Sequence, residues 1–235
     1  MIDYPRLIAH RCGGALAPEN TLAGLMIAAQ LGCRAAEFDV MLTQDGVPIL
    51  MHDETLERTT GLPGAVAQTP FATIRSAAPD VPTLAEAIDA CQRLDLWANI
   101  ELKPATGHEE ATGAVVGAWL ASHWNGEGVI SSFSKKSTLA ARHALPEAPF
   151  ALLYETLPED WQDDRAQTGA MVIHLDGYAV SEVTARRLNA AGMPWACYTI
   201  DTLDVADRLF GLGCAAVLTD RPDVLSDLDP SQRHD

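Results

Sequence analysis

Short apolar or β-branched runs alternate along this chain with amphipathic stretches rich in Ala and Leu, and no linker or low-complexity segment interrupts them. That rhythm marks βα units around a parallel sheet: a strand buried on both faces reads as a continuous apolar run, while its crossover helix shows one apolar stripe. Eight runs fit strands: Leu7 to His10, Ala35 to Val40, Ala98 to Lys103, Val129 to Phe133, Phe150 to Glu155, Met171 to Asp176, Pro194 to Ile200 and Ala215 to Asp220. Helical spacing fills the gaps. Leu22, Leu25, Met26 and Ala29 share one face, with Asn20 or Thr21 as N-cap and Gly32 as the stop; Leu84, Ala87, Ile88 and Cys91 repeat the pattern after Pro82-Thr83. Further helices are predicted at Glu109 to Trp124, Lys136 to Ala144, Pro158 to Thr168, Ser181 to Ala191 and Leu203 to Leu212. Eight alternations in 235 residues predict an α/β fold, a single (β/α)₈ TIM-barrel domain over 1–235. An open doubly wound sheet would usually have fewer strands and often a glycine-rich first turn.

One segment breaks the rhythm. Met41 to Asp53 reads as two extended runs joined by a Gln44-Asp45-Gly46 turn, which is hairpin chemistry. The second strand is therefore expected to double back at the barrel top and bring His52 and Asp53 near Glu37 and Asp39. The irregular stretch that follows, up to Pro82, exceeds the loop lengths of about 12 to 15 residues usual in compact domains and is expected to form a lid or wall. Residues 41–82 thus form an insertion between the second and third barrel strands.

Composition narrows the partners. A net charge of -16 and a pI near 4.6 disfavour nucleic acid and anionic membranes, because a phosphate-binding surface needs a Lys/Arg excess. No apolar run approaches the roughly 18 residues of a membrane span, and the start lacks signal-peptide character, so a cytoplasmic protein without membrane insertion is expected. Cys12, Cys33, Cys91, Cys197 and Cys214 are scattered, which predicts buried thiols rather than disulfides or zinc. The sequence leaves the oligomeric state open, a homo-oligomer included.

In a barrel the C-terminal strand ends form the active face. Here they carry His10-Arg11, Glu37 and Asp39, Glu101 and Lys103, Ser132, Tyr154, His174 and Asp176, Tyr198, and Asp220. Glu37 and Asp39 lie two apart and so point to the same side of a strand. Three carboxylates converging at a barrel mouth repel one another unless a cation neutralises them, and hard oxygen donors without cysteine suit Mg²⁺ or Ca²⁺. His10 and His52 end apolar strand runs; two imidazoles aimed at that cluster suit paired proton transfer. Arg11 and Lys103 suit a phosphate, the first as a bidentate donor and the second as a point charge. His174 is open between substrate binding and a structural hydrogen bond. Phe133, Tyr154 and Tyr198 read as packing, and Asp220-Arg221-Pro222 as a turn with a local ion pair.

The string from His10 to Thr21 (HRCGGALAPENT), followed by Glu37-Phe-Asp-Val, Thr43-Gln-Asp-Gly, His52-Asp53, Glu101-Leu-Lys103 and Leu218-Thr-Asp-Arg-Pro222, resembles the glycerophosphodiester phosphodiesterase family. The resemblance implies a barrel enzyme that hydrolyses small glycerophosphodiesters to sn-glycerol 3-phosphate and an alcohol with a divalent cation. It implies that Glu37, Asp39 and Glu101 bind the metal, that His10 and His52 are general base and acid, and that Arg11 and Lys103 contact phosphate. Pro18-Glu19-Asn20-Thr21 is expected to be structural, capping the next helix. One departure stands out: the family's usual glycine after His-Arg is Cys12, which carries a conformational cost if the position needs φ > 0, a cost that Gly13 and Gly14 can relieve. Two rivals remain, a related phosphodiesterase of phospholipid head groups and a non-catalytic phosphodiester-binding barrel. An enolising metal-dependent barrel is disfavoured by the Arg/Lys pair.

Overall fold

The computed structural model describes residues 4–228. Strands and helices alternate as β1 (Leu7–Ala9), α1 (Leu22–Gln30), β2 (Ala35–Leu42), β3 (Pro48–Leu50), α2 (Glu57–Thr60), α3 (Phe71–Ala77), α4 (Leu84–Leu94), β4 (Trp97–Leu102), α5 (Glu109–His123), β5 (Gly128–Ser132), α6 (Lys135–Ala144), β6 (Phe150–Tyr154), α7 (Trp161–Thr168), β7 (Val172–Asp176), α8 (Glu182–Ala190), β8 (Trp195–Tyr198), α9 (Leu203–Gly211), β9 (Ala216–Thr219) and α10 (Pro222–Leu225). All the strands but β3 run parallel in sequence order. β1 pairs with β9 at Leu7↔Val217 and with β2 at Ala9↔Ala36, which closes the sheet into the expected (β/α)₈ barrel.

The predicted helix signals operate as physical chemistry requires. Thr21 Oγ1 accepts the Gly24 N–H and so caps α1, and Gly32 follows the helix in the left-handed region at φ 83°. Thr83 and Glu86 form a reciprocal capping box at α4, whose Leu84, Ala87, Ile88 and Cys91 are buried. Helices α5 and α6 approach so closely that a Cβ on Gly113 would lie 2.1 Å from the Ser137 carbonyl oxygen. Among the described residues no helix is long and apolar enough to cross a membrane, and all five cysteines are buried.

The barrel interior is a packed core. Small side chains (Ala35, Ala151, Ala196, Ala216) leave room for Trp97 and Tyr4, which fill the space at the N-terminal strand ends. The Tyr4 hydroxyl lies 2.7 Å from His174 Nε2, and His174 is completely buried. His174 therefore takes the structural alternative, and burial pulls its imidazole down to about 3.

The hairpin forms as expected: β3 pairs antiparallel to β2 with Val40↔Leu50, Met41↔Ile49 and Leu42↔Pro48. The stretch that follows is more regular than expected, holding α2, α3 and a 3₁₀ turn at Val66–Gln68. These elements are too short to show a helical period in sequence. Their apolar residues Leu56, Val66 and Ile74 gather with Met41, Ile49, Met51 and Ala105 into a second small core. That core fixes the insertion against the barrel rim.

Candidate active site

The alternation along β2 and β4 places Glu37, Asp39 and Glu101 on the barrel's inner side, with Asp39 directly beside Glu101 in register. All three are buried, and one carboxylate oxygen from each lies within 4.8 Å of the others. Burial first, and then the neighbouring Asp39 carboxylate, push Glu37 up to about 8 and Glu101 up to about 7. Glu37 Oε1 is buried with no hydrogen-bond partner among the described residues. An all-oxygen set under this repulsion, with an orphaned acceptor, fits a hard divalent cation.

His10 follows β1 directly. Its Nδ1 lies 2.7 Å from Asp220 Oδ1 and its Nε2 3.9 Å from Glu37 Oε2, so the second nitrogen faces the carboxylates. Burial lowers the His10 pKa, but the Asp220 hydrogen bond and Glu37 outweigh it and leave the imidazole raised above its ordinary 6.5. Asp220, one of the strand-end residues, was expected to make a local turn and ion pair that closes the barrel. Barrel closure instead brings it from the other end of the chain to orient His10, and Arg221 pairs with Asp223.

The loop after β1 turns tightly. Arg11 has φ 48° and Cys12 φ 77°, while the Cys12 N–H donates to the Glu37 carbonyl at 2.7 Å. The position does need a left-handed backbone, and the glycines that follow do not remove the need. Cys12 bears that strain, on the order of 1 to 2 kcal/mol, and its side chain is fully buried against α1 at Gly24. The Arg11 backbone N–H donates to Glu37 Oε2 at 2.9 Å, and its side chain reaches Glu19 at 3.2 Å and Asp39 at 3.8 Å. Arg11 Nε is buried and makes no hydrogen bond. Lys103 Nζ lies 3.2 Å from Glu101 and 3.6 Å from Asp39. The two cations thus flank the carboxylates with donor capacity to spare for an anion.

Asn20 does more than shape the helix start. Its Nδ2 donates to Asp39 Oδ2 at 2.8 Å, and its Oδ1 accepts the Asp39 N–H at 3.1 Å, so it fixes that carboxylate. The hairpin brings in His52: the Met51 N–H donates to the Asp39 carbonyl at 3.1 Å, anchoring the returning chain to the top of β2. His52 Nδ1 lies 2.8 Å from Asp53 Oδ1. His52, Glu19 and Asn20 share the wall of a cleft of about 520 Å³ under the insertion. A second cleft, about 670 Å³, opens beside Glu101, Lys103 and Phe133, whose ring is half-exposed. Tyr154 and Tyr198 behave as packing residues, the Tyr198 hydroxyl donating to the Tyr154 carbonyl at 3.0 Å.

The glycerophosphoryl diester phosphodiesterase family model matches residues 10–224, a span that includes every one of these groups. The chain belongs to this family. This phosphodiesterase is 28% identical to a glycerophosphodiester phosphodiesterase of Caldanaerobacter subterraneus over 94% of its own length and 96% of that protein's. With the mouse glycerophosphodiester phosphodiesterase 1 it shares 38% identity, over 48% of this chain and 38% of the mouse one. Among solved structures, an Oleispira antarctica phosphodiesterase in complex with the product sn-glycerol-3-phosphate superposes with a TM-score of 0.88 at 32% identity, covering 96% of this chain and 97% of that one. A Thermotoga maritima glycerophosphodiester phosphodiesterase shares the fold at a TM-score of 0.79 and 20% identity, over 96% and 98% of the two chains.

Proposed function

We propose that this barrel, acting as one domain, hydrolyses small glycerophosphodiesters to sn-glycerol 3-phosphate and an alcohol, with Glu37, Asp39 and Glu101 as ligands of Mg²⁺ or Ca²⁺ and His10 and His52 as the proton-transfer pair. The observation that carries the reading is the convergence of three buried carboxylates with His10 Nε2, 3.9 Å from Glu37. Such a cation, when bound, neutralises charge on the phosphate and lowers the pKa of a hydroxyl beside it. The remaining chemistry belongs to the chain.

Arg11 and Lys103 hold the non-bridging phosphate oxygens, and the buried Arg11 Nε, 3.8 Å from Asp39, makes no hydrogen bond within the chain. His10, its Nδ1 fixed by Asp220, takes the proton from the attacking glycerol hydroxyl through Nε2. His52, its Nδ1 held by Asp53, gives a proton to the departing alkoxide. Water then opens the resulting cyclic phosphate with the two histidines exchanging roles. His10→Ala and His52→Ala are each expected to lower turnover of glycerophosphocholine by about 100-fold or more, the usual scale of acid–base catalysis. Full activity in either folded variant overturns the assignment.

A further inference from the structure

Arg58 is not a predicted site residue, yet it is the most heavily bonded cation near the site. It stands on the four-residue helix α2 in the insertion, with its side chain about half exposed. Its guanidinium makes four hydrogen bonds to two carboxylates: Nε and Nη2 to Asp53 at 2.5 and 3.0 Å, and Nη1 and Nη2 to Glu19 at 2.6 and 2.7 Å. Glu19 lies in the loop that carries Arg11 and also accepts from Arg11 Nη1 at 3.2 Å, while Asp53 holds His52. Two loops from neighbouring strands of the barrel rim, the one after β1 and the one after the β2–β3 hairpin, therefore meet on one planar fork. An isolated exposed ion pair would contribute only about 0 to 1 kcal/mol, so the arrangement matters for geometry more than for stability. Without the fork, Glu19 and Asp53 repel each other and Asp53 is free to turn from the imidazole. Arg58 also holds the Asp53 carboxyl well below the usual carboxylate range, so it stays an anion, 2.8 Å from His52 Nδ1.

We propose that Arg58 is a positioning residue for protonation of the leaving alcohol: by forking Glu19 and Asp53 it fixes Asp53 against His52 Nδ1 and leaves Nε2 aimed at the departing oxygen. The proposal rests on the reading of His52 as the general acid. Its signature is dependence on the leaving group. An alkyl alcohol needs a proton as the P–O bond breaks, whereas p-nitrophenol departs as a stable phenolate.

The test measures kcat for glycerophosphocholine and for the p-nitrophenyl ester of glycerol 3-phosphate with wild-type enzyme, Arg58→Met, Arg58→Lys, His52→Ala and the Arg58→Met/His52→Ala double variant. Thermal midpoints confirm folding. Arg58→Met is expected to lose about 10- to 100-fold on the alkyl substrate, the scale of residues that orient a reacting group, and less than about threefold on the nitrophenyl ester, which has little need of the acid. Arg58→Lys stays low on the alkyl substrate because an ammonium cannot fork both carboxylates. In the His52→Ala background Arg58→Met adds no further loss. Equal losses on both substrates for Arg58→Met, with His52→Ala still selective, overturn the clamp and leave His52 its role. Equal losses for His52→Ala overturn both.

Discussion

Glu37 is buried where desolvation and Asp39 push its carboxyl from 4.5 up to about 8. A carboxyl raised this far keeps its proton in the folded chain while the unfolded chain has released it, so the stability of metal-free enzyme falls as pH rises between about 4.5 and 8. Near pH 8 the penalty is on the order of 5 kcal/mol, at about 1.4 kcal/mol for each pKa step. Glu37→Gln removes the ionisation and keeps the shape, and its amide oxygen can still accept the Arg11 backbone N–H that Glu37 Oε2 accepts at 2.9 Å. In chelator near pH 8 the variant is therefore expected to melt above the wild type, by on the order of 10 °C for a chain of this size. The advantage fades toward pH 4, below the unfolded value of 4.5, where Glu37 is mostly protonated in both states. Adding Mg²⁺ or Ca²⁺ should raise the wild-type midpoint strongly near pH 8 and that of Glu37→Gln only weakly, since a cation that binds only the folded form stabilises in proportion to its affinity. Thermal unfolding at the two pH values, with and without cation, reads all of this. A Glu37→Gln variant that melts below the wild type in chelator near pH 8, or that responds to the cation as strongly, rules out a destabilising Glu37 carboxylate that a cation relieves.

Asn20→Ala removes both hydrogen bonds to Asp39 and is expected to lower activity and cation affinity by about 10- to 100-fold; kinetics and a cation titration check it. Asp220→Asn weakens the contact that keeps the His10 pKa raised, so the acid limb of the pH–rate profile should move to lower pH while kcat falls. Gly24→Ala places a Cβ 2.8 Å from Cys12 Cβ and 2.9 Å from the Gly13 nitrogen, and should cost about 1 to 3 kcal/mol by overpacking, measured by denaturant unfolding.

The barrel was legible because each strand leaves its own local mark, a short apolar run, and the hairpin was legible because Asp45-Gly46 is turn chemistry at any position. The spacing of Glu37 and Asp39 also predicts their common direction from a period of two alone. What local pattern cannot reveal is which distant residues meet. Asp220 reaches His10 only because β9 closes on β1, and Asn20 reads as a helix cap until its loop is seen folded over Asp39. Thr21 takes the cap instead. Arg58 gave no signal, since its partners Glu19 and Asp53 come together only when the insertion packs on its own small core. His174 was undecidable for a related reason: a histidine on an inward strand position can face substrate or core, and Tyr4, 170 residues away, decides it.

We propose that His10 and His52 cleave glycerophosphodiesters only when Glu37, Asp39 and Glu101 hold a divalent cation. Phosphorus NMR of glycerophosphocholine incubated with chelator-treated enzyme, before and after Mg²⁺ or Ca²⁺ is restored, tests it most directly. No turnover is expected in chelator and, on cation addition, conversion to a single phosphomonoester identified as sn-glycerol 3-phosphate. Undiminished turnover in chelator, or release of phosphocholine in place of glycerol 3-phosphate, would contradict it.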